Sequence, residues 1–109
     1  MSTRAQVYFK ETGVYLYQHS DGMDLFKIVK KSLKRAEEAG RLNDSCYLAR
    51  MVFCDMIKVA EGSSLSVKEQ YGYDGSLGYG IDTERHGDIE YLITIDENGK
   101  ATQERVWLW

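Results

Sequence analysis

The chain contains no proline and only two cysteines, and no apolar run in it approaches the ~18 residues a membrane-spanning helix needs. Without proline there is neither a cis-proline turn nor a proline-rich linker. The cysteines, Cys46 and Cys54, fall eight residues apart on one helix-patterned stretch. At 1.5 Å per residue they stand about 12 Å apart along the axis, too far for a disulfide between them. Free, buried thiols are the expected state, in keeping with a reducing compartment. The opening residues, MSTRAQVYFK, hold no apolar stretch of signal-peptide length, so a cytoplasmic location and no membrane partner are expected. Internal repeats and low-complexity tails are absent. So are the HExxH, CxxC and GK[ST] patterns, and a P-loop is thereby excluded.

What is present fits a single domain over residues 1–109, long enough for a hydrophobic core without covalent staples. The net charge of −3 is unevenly spread: residues 1–60 carry ten Lys/Arg against seven Asp/Glu, and residues 61–109 carry four against ten. An acidic second half disfavours a phosphate-tracking surface there and suits a basic protein patch.

Residues 4–10 and 14–19 alternate, with Ala5, Val7 and Phe9 on one face, followed by Val14 and Leu16. The ETG between them marks a hairpin. From Met23 to Ala39 the period changes. Leu25, Phe26, Ile28, Val29, Leu33 and Ala36 share one side, and Lys27, Lys30, Lys31 and Lys34 lie opposite. This is an amphipathic helix stopped by Gly40. A second helix is expected from an Asn43 or Asp44 cap to about Ala60, closed by Gly62. Tyr47, Leu48, Met51, Val52, Phe53, Cys54, Met56, Ile57 and Val59 cover most of its circumference. Such a helix is expected to be covered on more than one side, by the domain or by a second copy docking on residues 44–60. Residues 62–80 read as loop with a short strand at Leu65–Glu69. DIEYLITID alternates, NG at 98–99 signals a hairpin, and the last segment returns as a strand. The order ββααβββ implies an α+β fold, an antiparallel sheet of four to five strands with two helices on one face.

Five features could carry chemistry. In YLYQHSDG (15–22), His19 and Asp21 could form a proton shuttle or metal pair. The simpler account is helix capping by Ser20, Asp21 or Asp24, with Gly22 adopting a backbone angle closed to other residues. In ERHGDIEY (84–91), His86, Asp88 and Glu90 would add to His19 and Asp21 a donor set adequate for zinc, manganese or iron. Without a supporting motif, the expectation is no metal and no cofactor. The loop YGYDGSLGYG (71–80) lacks the helix a dinucleotide fingerprint requires, and Tyr71, Tyr73 and Tyr79 read as aromatic contacts on adaptable backbone. Tyr8, Tyr15, Tyr17 and His19 point away from the helices, with Trp107 joining them from the last strand. That face is either an open binding surface or a small second core beneath loop 62–80. The lysine row of the first helix, interrupted by Glu37 and Glu38, reads as a solvated face, which disfavours nucleic acid.

TRAQVYF, YLYQHSDG and HGDIEYLI, in that order along most of the chain, resemble a family of small phage and prophage proteins. Its members open with a TR-containing strand and carry a tyrosine, histidine and DG phrase, usually with an aromatic between His and Asp and YP after the glycine. Here Ser20 stands in the aromatic's place and Met23–Asp24 in that of YP. The resemblance implies an accessory phage protein and no particular activity.

The resulting expectation is a non-enzymatic binding protein acting by protein–protein contact, as an inhibitor of a host defence (anti-CRISPR-like) complex. Its contact residues would be drawn from Tyr15, Tyr17, His19, Asp21, Tyr71, Tyr73, Tyr79, His86, Asp88 and Trp107. The alternative is a small metal-dependent or nucleotide-processing enzyme using His19, Asp21, His86 and Asp88. The approach of the two imidazoles separates them.

Overall fold

A computed structural model of the protein describes residues 3–19, 21–71 and 78–106, with the helical path alone for 60–71. Its elements are β1 (Ala5–Phe9), β2 (Val14–Gln18), α1 (Gly22–Glu38), α2 (Ser45–Tyr71), β3 (Tyr79–Asp82), β4 (Tyr91–Ile95) and β5 (Ala101–Arg105). The order ββααβββ and the α+β class are those the periodicities imply.

The five strands lie in the order β3-β2-β1-β4-β5. Three neighbouring pairs are antiparallel, but β1 and β4 are parallel, so the sheet is mixed and not wholly antiparallel. The reason is geometric. β3 is antiparallel to β2 and therefore runs the same way as β1. To reach β4, three strand positions or about 14 Å away, the chain must cross the sheet instead of turning back in a hairpin. Residues 83–90 are that crossover.

Ala5, Val7 and Phe9 alternate onto one face of β1, and Leu16, Ile93 and Ile95 join them from its neighbours. Leu25, Val29, Leu33 and Ala36 of α1 and Leu48, Met51, Val52 and Met56 of α2 complete a single core. Asp55 of α2 joins the helices through two polar contacts with α1. The buried Ser32 hydroxyl donates to Asp55 Oδ2 at 2.6 Å, and Arg35 meets the other carboxylate oxygen at 3.0 Å.

α1 ends as its sequence suggests. Gly40 takes φ +70°, its N–H bonds to the Glu37 carbonyl, and the Arg41 N–H bonds to that of Ala36, which satisfies the last carbonyls. Its start differs from expectation. Asp21 itself holds the left-handed angle (φ 57°) and makes no side-chain capping bond; Ser20 lies outside the described residues. Gly22 is required for closeness instead. Its N–H donates to the Thr3 carbonyl, and a Cβ there would stand 2.7 Å from that oxygen and 2.9 Å from Ala5 Cβ.

α2 is longer than the pattern suggested: it continues through Gly62 to Tyr71, over residues expected to be loop and a short strand. A single glycine costs a helix only about 1 kcal/mol, and with no proline nothing stronger interrupts it. One side of α2 enters the core, whereas Tyr47 and Val59 stay about half exposed. The thiols are free, but Cys46 is exposed and Cys54 only partly covered, so neither is the buried residue expected.

Gly22→Ala should lower stability by about 1–3 kcal/mol in urea denaturation, because the backbone of Thr3 has to move. Gly87→Ala, with open space at its Cβ, should change it by no more than about 0.5 kcal/mol.

Candidate functional site on the open sheet face

Strand register lays two rows of side chains across the face turned away from the helices. One row is Gly80, Tyr17, Gln6, Leu92 and Glu104; the other is Asp82, Tyr15, Tyr8, Thr94 and Thr102. In the second row the Tyr8 and Tyr15 rings stack at 4.5 Å between centroids. The first row is partly roofed by the crossover. Gln6 is fully buried because its side-chain amide donates to the Glu84 carbonyl at 3.2 Å and accepts from the His86 N–H at 2.9 Å. A buried amide with both ends satisfied is a clamp on the crossing strap. Leu92 and Ile89 are buried with it, while Tyr8, Tyr15 and Tyr17 remain partly exposed. Among the described residues, what lies over this face is the 83–90 segment; residues 72–77 of the expected covering loop lie outside them.

The strap brings His86 to the tyrosines. At the end of β3, Asp82 Oδ1 accepts from the backbone N–H of Thr83 at 2.7 Å and of Glu84 at 3.3 Å. Its Oδ2 holds His86 Nε2 at 2.9 Å. The His86 bond and these backbone donors keep the Asp82 carboxyl below its usual range. The His86 ring rests on Tyr17, with centroids 4.5 Å apart.

On the same tyrosine, the hydroxyl reaches His19 Nδ1 at 3.3 Å. Arg4 Nε donates to that nitrogen, also at 3.3 Å; a guanidinium can only donate, so Nδ1 accepts. A second Arg4 nitrogen pairs with Asp88 Oδ2 at 3.1 Å. Burial first, and the nearby Asp88 charge second, push the Tyr17 phenol up, with Arg4 opposing them. Tyr17 thus stays a neutral hydrogen-bonding ring at physiological pH.

Tyr17, His19, His86 and, through Arg4, Asp88 therefore form one cluster. The two histidines contact the same tyrosine, but their carboxylate partners differ from the HGD and HSDG pairings: His86 goes to Asp82, Asp88 goes to Arg4, and Asp21 sits at the helix start. Among the described residues no three His, Cys, Asp or Glu side chains gather closely enough to hold a metal ion. Tyr15 belongs to the neighbouring tyrosine stack. Tyr79 is on the helix side of β3, opposite Gln18, and packs against the core; burial, then the Asp21 charge, raises its phenol. Tyr71 ends the α2 path, its side chain outside the described residues, as are Tyr73 and Trp107 entirely.

Sequence reasoning missed Arg4, Gln6 and Asp82 as members of this site. The alternation of β1 did carry a signal for Gln6, a lone amide one place before Tyr8 on the same face. Asp82 had none, since its segment did not read as a strand. The chain matches no protein-family model, no curated protein and no solved structure.

Replacing Gln6 with leucine would orphan the Glu84 carbonyl and the His86 N–H. We expect a loss of about 1–3 kcal/mol and faster amide exchange at His86. The acid limb is also specified. A carboxyl with a depressed folded pKa contributes stability that is complete above about pH 4 and lost as pH falls through the lowered value. Asp82→Asn should therefore shallow the acid limb of a pH–stability profile. It should not flatten it, because Asp96, held low by the Lys100 and Asn98 N–H groups, contributes in the same direction.

Proposed function

We propose that the protein is a non-enzymatic binding protein that works by protein–protein contact through the open face of its sheet. Following the family resemblance, we take it to be phage- or prophage-encoded, acting in the host cytoplasm on a host defence complex. The observation that carries the reading is the ordered aromatic surface: the Tyr8–Tyr15 stack beside the Tyr17–His86 pair, both at 4.5 Å and both partly exposed. Rings already held by one another lose little side-chain freedom on binding, so aromatic area converts efficiently into affinity.

Charge supports the same reading. The acidic half of the chain supplies both edge strands and the strap, which puts Asp82 and Glu104 in the same two rows as the rings, and Glu84 and the Arg4-paired Asp88 on the strap. An aromatic centre with an acidic rim is complementary to a basic protein surface and repels a phosphate backbone. Among the described residues no helix is long and apolar enough to span a bilayer.

A second reading, nucleotide-processing catalysis, draws on the His86–Asp82 pair with His19 bonded to the same tyrosine. The two are separable. If contact is the function, Tyr8→Ser with Tyr15→Ser should reduce retention of a captured host protein at least about ten-fold while circular dichroism is unchanged. Asp82→Asn should then leave retention within a few fold. Retention that ignores the tyrosines, together with turnover of nucleotide substrates that Asp82→Asn abolishes, would reverse the assignment.

A further inference from the structure

The helical layer carries a feature that the sheet face does not use. Along the outer seam between α1 and α2 runs a groove of about 590 Å³. Lys27 and Lys31, one turn apart on α1, face Lys58 of α2 across it, with Ile28 and Val59 supplying its apolar surface. None of these three lysines forms an ion pair with a described side chain. The fourth cation, Arg35, is already matched by Asp55 at 3.0 Å and closes one end of the groove. Asp24 closes the other.

Three like charges around one depression repel one another, and a domain has no folding reason to collect them beside a half-exposed valine. A ligand that removes the repulsion needs carboxylates about one helical turn apart and an apolar side chain between them. We propose that this groove docks an acidic amphipathic segment of a partner protein. From Asp24 to Arg35 the α1 side of the groove extends about 17 Å, room for about three helical turns of such a segment. The aspartates at both ends, and the apolar strip between the lysines, suit a short peptide better than a continuous run of phosphates.

The test is fluorescence anisotropy with a dye-labelled 14-residue peptide placing Glu at i, i+4 positions beside Leu. A Lys-for-Glu counterpart and a 12-nucleotide single-stranded RNA are measured alongside. Wild type should bind the acidic peptide in about 50 mM salt and release it in about 300 mM. Lys27→Glu, Lys31→Glu and Lys58→Glu together should weaken that binding at least about ten-fold and create affinity for the Lys peptide, with circular dichroism unaltered. Tyr15→Ser, on the opposite side of the molecule, should leave the affinity for the acidic peptide unchanged. The proposal is overturned if wild type ignores the acidic peptide, if the triple substitution leaves binding intact, if RNA binds more tightly than peptide, or if Tyr15→Ser abolishes binding.

Discussion

β1 is hydrogen-bonded along both edges, antiparallel to β2 and parallel to β4, and the rest of the molecule is arranged around that double pairing. A parallel neighbour cannot be reached by a tight turn. The chain must therefore cross the sheet between β3 and β4, and the crossing segment needs something to hold it. Gln6, on β1 itself, provides that hold by placing its amide between the Glu84 carbonyl and the His86 N–H. The central strand thus nucleates the helical core with one face and anchors the strap with the other.

That anchorage positions the chemistry. With the strap fixed at Gln6, His86 falls on Tyr17 and within reach of Asp82, and Asp88 falls beside Arg4. Tyr17 meets both histidines while its own hydroxyl stays protonated, so the cluster is an ordered arrangement of rings and hydrogen bonds. The charge asymmetry of the chain also becomes spatial here. The first half builds the lysine-lined helical seam, and the second frames the aromatic face with carboxylates. The molecule offers two differently charged surfaces on opposite sides of one sheet.

Local features were legible where one short stretch decides the outcome. The first hairpin, the apolar side of α1, its stop at Gly40 and the Asn98–Gly99 turn each rest on residues within a few positions of one another. Where two effects of similar size competed, the sequence misled. Gly62 resembles a helix stop, but the helix continues through it to Tyr71. Gly22 resembles a residue chosen for its backbone angle, but Asp21 takes that angle and Gly22 is needed because Thr3 passes so close. The histidine phrases offered His19 with Asp21, and His86 with Asp88 and Glu90, as candidate partners; instead His86, carried on the strap, meets Asp82, and His19 bonds to Tyr17 and Arg4.

What the sequence determined by itself was β1, β2, α1, the first part of α2, β4 and β5, and the buried side of α1 and of the central strands, since periodicity and turn chemistry act over a few residues. What only the tertiary structure decided was which strands became neighbours, and in which direction. That choice depends on contacts between residues about eighty positions apart, such as Gln6 with Glu84 and His86, which no local pattern encodes. The meeting of Tyr17, His19 and His86 follows from that choice, so the candidate site belongs to the topology even though those three residues were visible from the start.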